Sequence, residues 1–302
     1  MTGHNDRRGL TVWEILFAVL VLLFLVAVIV PALCRVRSTP FRLTCGVHLC
    51  GIGKAMLIYA SDYDDRLPRA GGPNASWAAR TPNWAAQEAA EAYGMSSESE
   101  TGGRAGMSAS LYLLVKYMEV TPREFLCVDK ERNIEKGASV FDPNDYGVQN
   151  RALSDLWDFG PNPPVHVSYA YYRAHGAVKL TLQGDSDLAM AADSNPWMDS
   201  PFKRAKDFSA FMPDRAPFTG TQESALRGNT WAHSGDGQNV LFLDCHVEFS
   251  KRAFCGVDDD NVYTFWDDDD KVRGWPATFG AVPADMTDSL LVNDPALAGQ
   301  RN

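Results

Sequence analysis

The sequence predicts an α+β protein: a long N-terminal helix, first apolar and then amphipathic, packed on a head built around an antiparallel β-sheet. Three observations predict it. Residues 15–30 carry no charge, about the length of helix needed to cross a hydrocarbon core. Phe41, Cys45, Leu49, Ile52, Met56, Tyr59 and Tyr63 then follow at spacings of three and four, which draws one apolar stripe along a helix. In the later part of the chain, short apolar runs alternate with turn residues, the pattern of strands.

The chain has 302 residues, 45% of them apolar and 22% charged, enough for one large domain or two small ones. The continuous apolar character sits in residues 10–33, and the remainder is polar and acidic, with a net charge of -10. An acidic head without a basic stripe and interleaved aromatics argues against nucleic acid as a partner.

Taken in order, residues 1–9 are short and polar and end in Arg7-Arg8-Gly9. Residues 10–34 read as a membrane-spanning helix, longer than a signal-peptide core and without a small-residue cleavage site after it. Glu14 stands at the edge of this span, where a carboxylate is costly and marks a functional position. Residues 35–67 read as an amphipathic helix joining the head. Thr39 and Pro40 fit a cap and first turn, so a restart there is an alternative to one unbroken helix. Gly46, Gly51 and Gly53 weaken it, so it must be held by packing, for which an antiparallel sheet is the expected partner. Asp62-Tyr63-Asp64-Asp65-Arg66-Leu67-Pro68 ends it.

Residues 68–273 form the α+β head. Residues 70–82 read as loop, 84–93 as a short helix, 94–108 as a flexible stretch, and 111–118 as a helix or buried strand stopped by Thr121-Pro122. Residues 165–172, 177–182 and 188–192 read as strands. Residues 239–243 and 246–249 around Asp244-Cys245 make the best hairpin. Residues 274–302 read as a tail.

Six cysteines, Cys34, Cys45, Cys50, Cys127, Cys245 and Cys255, form no C-x-x-C pair, which argues against a zinc ribbon or thioredoxin-like motif. Cys45 and Cys50 diverge on one helix, about 500° and 7.5 Å apart. The expected disulfides are Cys45–Cys127 and Cys245–Cys255, with Cys34 free. Asp258, Asp259, Asp260 and, further on, Asp267 and Asp268 are clustered hard ligands and candidates for calcium, though solvated surface is the plainer reading. No other cofactor is indicated. Asp193, His233, Asp244 and His246 could hold a hydrolytic metal if the strands converged. The plainer reading gives His233 a hydrogen-bonding role at the hairpin, and no catalytic motif is present. No catalytic residue is therefore assigned, and a membrane-tethered binding or metal-dependent hydrolytic domain is the alternative reading.

Two stretches resemble a known family. Arg7-Arg8-Gly9 followed by Leu10-Thr11-Val12-Trp13-Glu14 resembles the type IV prepilin leader, although Leu10 stands where phenylalanine is usual. His233-Ser234-Gly235-Asp236-Gly237-Gln238-Asn239 and the hairpin to Phe249 resemble the H-X9-DG signature of bacterial prepilin-type proteins. Here the spacer is ten residues, and Cys245 stands where a glycine would suit a positive φ. Phe125-Leu126-Cys127, Ser168-Tyr169-Ala170-Tyr171 and Ala192-Asp193 are further family-like pieces. The resemblance implies a pilin-like fold, cleavage between Gly9 and Leu10 by a prepilin peptidase, methylation of the new terminus, and a role for Glu14 in assembly. It implies Pro31 as a kink site, and His233, Asn239, Asp244 and His246 as signature positions. Implied partners are other pilin-like subunits and an inner-membrane assembly platform. The implied location is a single pass through the inner membrane with the head outside the cytoplasm. Charge points the other way, since Arg35, Arg37 and Arg42 follow the span and only Arg7 and Arg8 precede it. The leader and the cysteines outweigh that count.

Overall fold

The computed structural model describes residues 12–96, 101–127, 138–173, 175, 180–211, 223–266, 272–278 and 280–296, with backbone only for 30–40. The chain divides into two compact units, Met1–Pro40 and Phe41–Asn302. Helix α1 (Val12–Asp62) contributes to both and runs without a break through Thr39 and Pro40, so no new helix starts there.

In the first unit, Val12–Ile29 is 18 residues of apolar helix, none of it buried. It has the length and composition of a membrane span or a signal segment.

In the second unit, the Phe41–Asp62 stretch of α1 is the core helix. Cys45, Leu49, Ile52, Met56 and Tyr59 are buried, the stripe expected from the spacing. Tyr63 is half out in solvent but stacks on Tyr59, with ring centroids 4.1 Å apart. The helix lies on a five-stranded antiparallel sheet of order β6-β5-β4-β3-β9. Its strands are β3 (Tyr169–Tyr172), β4 (Ala189–Asp193), β5 (Gln238–Phe242), β6 (Val247–Ser250) and β9 (Leu291–Val292). The helix glycines mark the line of approach. A Cβ on Gly46 would stand 3.2 Å from Asn239 Oδ1, and one on Gly53 would stand 2.7 Å from Leu241 Cδ1. Asn239 and Leu241 are alternate residues of β5 and so share a face.

Two small pairs flank this core: β1 (Ser76–Trp77) with β2 (Arg104–Ala105), parallel, and β7 (Thr264–Phe265) with β8 (Trp275–Pro276), antiparallel. Helices α2 (Ala89–Tyr93), α3 (Met107–Met118) and α4 (Glu223–Leu226) complete the α-helices among the described residues.

The hairpin forms as expected, with Asn239 opposite Phe249 and Leu241 opposite Val247. Cys245 adopts φ +73°, so it carries the left-handed strain that glycine would avoid. Several expectations change. Residues 94–108 contain β2 and the start of α3, with Ala105 fully buried, because Ser76 and Ala78 donate their N–H groups to Gly103 O and Ala105 O. Of residues 177–182, 177–179 lie outside the described residues, and Thr181 makes only an isolated bridge to Arg66. The stretch read as a tail is part of the head. It supplies β8, then β9 at the sheet edge, then Asp294. The Asp294 carboxylate accepts the Met107 and Ser108 N–H groups (2.8 and 2.9 Å) and the Trp77 indole (3.1 Å). It thus caps α3 in place of a residue from the helix's own flank.

Candidate functional site

His233 enters the core through a strained turn. His233 and Ser234 both have positive φ (54° and 62°) within the turn Ala232–Gly235. The turn carries the imidazole inside, where the side chain is only 2% exposed. Asp193 ends β4, and Asn239 lies on β5 beside it, since Ala192 pairs with Val240. Asp193 Oδ2 accepts the Asn239 backbone N–H at 2.8 Å and its amide at 3.2 Å. The same oxygen stands 3.1 Å from His233 Nε2. Tyr263 donates its hydroxyl to the Asp193 carbonyl at 2.8 Å.

Two thiols lie against this group. Cys45 Sγ on α1 is 3.1 Å from Cys127 Sγ, and Cys127 Sγ is 3.9 Å from His233 Nε2. Both cysteines are fully buried, with Ala232 as their apolar neighbour. Their backbones are held in place. His48 Nδ1 donates to Leu126 O (3.1 Å), Ser168 N–H donates to Phe125 O (2.8 Å), and Tyr169 donates its hydroxyl to Cys45 O (3.4 Å).

The electrostatics favour an ion pair. Burial alone would lower the His233 pKa, but the Asp193 carboxylate overrides it and raises it to about 10, so the ring is an imidazolium at neutral pH. The Cys127 thiol is pushed well above its usual range by its hydrogen bond with Cys45 and by burial.

Cys45, Cys127 and His233 have ligand atoms within 4.8 Å of one another, close enough for a metal by distance alone. Two features oppose one. Tetrahedral zinc with bonds of about 2.3 Å separates two sulfurs by about 3.8 Å, wider than the pair here. The His233 nitrogen that faces the sulfurs is also the one engaged with Asp193. The cluster is buried on every side, and its Cys127 thiol resists ionisation. It is a buried polar network that fixes how α1, β4 and β5 meet, and buried polar groups of this kind need such partners.

The metal set considered from sequence is therefore divided. Asp193 and His233 meet here, but Asp244 and His246 lie at the far end of β5, exposed, and bond each other (His246 Nδ1 to Asp244 Oδ1, 2.5 Å). The His246 ring stacks on Phe242. The His246 N–H and imidazole hold the Asp244 carboxyl below its usual range.

Of the acidic runs, only residues 258–260 lie within the described residues. Asp258 and Asp259 are exposed in left-handed conformations, whereas Asp260 turns inward. It accepts the Trp266 indole (2.6 Å) and the Ser289 N–H (2.8 Å), and burial pushes its carboxyl well above the usual range. Asp267 and Asp268 lie outside the described residues, as do Gly9 and Leu10. Glu14 is exposed in the first turn of α1.

Neither expected disulfide is formed: Cys45, Cys127, Cys245 and Cys255 are all free thiols. Cys245 Sγ faces α1, where a Cβ on Gly53 would stand 2.8 Å away. Cys255 Sγ donates to Ala253 O instead. Sequence reasoning missed Tyr263 and the role of Tyr169. The Ser168–Tyr171 piece was the signal for the latter, and nothing local marks the former.

No family model matches the chain, and neither a curated protein nor a solved structure matches it significantly.

Proposed function

We propose that the chain is a structural subunit of a type IV pilus-like filament or a type II secretion-like pseudopilus, processed by a prepilin peptidase. The observation that carries this reading is the exposed apolar helix Val12–Ile29, with Glu14 as its single charge, at the front of an α+β head. A helix hydrophobic all round needs a lipid or protein environment on every side. The leader residues Arg7-Arg8-Gly9 supply the reason to prefer assembly over simple anchoring. Cleavage of the Gly9–Leu10 amide would leave an amine four residues ahead of Glu14. In a low-dielectric bundle, that amine on one subunit and the Glu14 carboxylate on its neighbour attract strongly. The helix crosses the inner membrane once, and the head stands outside the cytoplasm. The closed cluster around His233 fits an architectural signature better than a reacting site.

The deciding experiment is mass spectrometry of the mature N-terminus from cells with an active prepilin peptidase. The expected species begins at methylated Leu10. Crosslinking of the full chain then tests assembly: Glu14→Ala is expected to remain folded and membrane-bound but to lose crosslinks to other subunits. A dominant species starting at Met1, or wild-type incorporation of the Glu14 variant, overturns the reading.

A further inference from the structure

We propose that Cys45 and Cys127 form a disulfide in the mature head, joining the core helix to the segment that follows the turn Pro122–Phe125. Both sulfurs are fully buried and 3.1 Å apart. A disulfide needs about 2.05 Å, so closure asks for about 1 Å of side-chain movement. The surrounding bonds already hold the two backbones in place: His48 to Leu126, Ser168 to Phe125 and Tyr169 to Cys45. Of the three other described cysteines, Cys245 lies against Gly53 and Cys255 donates to Ala253 O, while Cys50 is half-buried.

The competing chemistry is a metal. The sulfurs are too close for a tetrahedral pair of thiolates. The Asp193–His233 ion pair engages the imidazole nitrogen that faces Cys127, and Cys127 resists ionisation. A neutral sulfur–sulfur bond suits this site, where a thiolate pair would be two more buried charges.

The bond is made by exchange with the disulfide of an extracytoplasmic thiol oxidase. One cysteine thiolate attacks the oxidant's disulfide, forming a mixed disulfide and expelling an oxidant thiolate. The second cysteine thiolate attacks the protein sulfur of that mixed disulfide and releases the other oxidant thiolate. Two thiols become one S–S bond, two protons leave, and two electrons pass to the oxidant. Because the folded site admits no second protein, this takes place before the head closes.

The disulfide's formation in the cell rests on the proposed extracytoplasmic placement of the head, so the test separates the two. The full chain in detergent is unfolded and refolded with a buffer of oxidised and reduced glutathione, which supplies the oxidant whatever the native compartment. It is then quenched with an alkylating agent and mapped by non-reducing mass spectrometry. The expected product is a Cys45–Cys127 linked peptide with Cys50, Cys245 and Cys255 alkylated. Reduction is expected to lower Tm by about 5–10 °C, and the variant carrying both Cys45→Ala and Cys127→Ala is expected to lose that reductant dependence. Alkylation of both Cys45 and Cys127, a Cys50–Cys245 link in their place, or stoichiometric zinc on the untreated chain overturns the proposal. The placement of the head is read separately, by protease protection of the chain in intact cells.

Discussion

Gly53 lies so close to Leu241 that a Cβ on the glycine would stand 2.7 Å from the leucine's Cδ1. Helix propensity alone favours alanine there by about 1 kcal/mol. Overpacking a fitted interface costs about 1–3 kcal/mol, and here Cys245 Sγ closes the other side. We expect Gly53→Ala to destabilise the head by about 1–2 kcal/mol in urea titrations. The exposed neighbour Lys54→Ala should stay within about 0.5 kcal/mol of wild type. A stabilised Gly53→Ala protein would show that the helix can lift away from β5.

The ion pair under the Ala232–Gly235 turn should be the costliest polar contact to break. His233→Ala leaves Asp193 buried beside Asn239 without its cation, a loss of about 3–5 kcal/mol. Asp193→Asn should cost less, since the neutral amide strands only an imidazole that can give up its proton. Thermal melts of the two variants decide it, and elemental analysis of the wild type should find no transition metal.

Asp294→Ala should uncap α3 and release the Trp77 indole, at a cost of about 2–4 kcal/mol. Asp294→Asn retains part of the acceptor set and should lose less than half of that. Hydrogen exchange at Met107 and Ser108 should report the uncapping directly.

Stability should fall as pH rises, the reverse of ordinary acid denaturation. Burial and the neighbouring Asp294 raise Asp158 to about 7, and burial raises Asp288 to about 6. A carboxyl with a folded pKa above its unfolded value holds its proton more tightly when folded. These two groups therefore contribute fully below about pH 4, and their contribution is lost as pH rises through about 6–7. His233 acts in the same direction at higher pH. Its contribution is complete below its unfolded pKa of about 6.5 and is lost as pH rises through about 10. Urea titrations at pH 5, 7 and 9 should give a descending series. Asp158→Asn should flatten its lower half and His233→Gln its upper half.

The parts legible in the sequence were those whose signal is local. The spacing from Cys45 to Tyr59 gave the buried helix face, and the alternation around Asp244-Cys245 gave the hairpin. The charge-free run gave an exposed apolar helix. The three helix glycines correctly implied a close partner, though only the structure identifies Asn239 and Leu241 as that partner. What was not legible depends on distant residues. Leu291 and Val292 are too short a run to announce a strand, and they become one only beside Tyr171 and Tyr172. Asp294 looks like a surface aspartate until α3 is placed against it. Asp244 and His246 had the right chemistry for a metal site, but the length of β5 carries them away from His233. The acidic run at 258–260 hid a buried residue because the chain turns inward only at its last position, after two exposed aspartates.

The position of β9 sets an order of events. Its partner β3 must wait until β4 to β8 have all been made before that edge of the sheet is covered. Until then Tyr169–Tyr172, every residue of which is buried in the finished head, is an open apolar edge, the kind that pairs with other chains. A chain made from its N-terminus would pass through this state with its core sheet incomplete. The interval between emergence of β3 and arrival of β9 is therefore when the head is most vulnerable to aggregation and most in need of an escort.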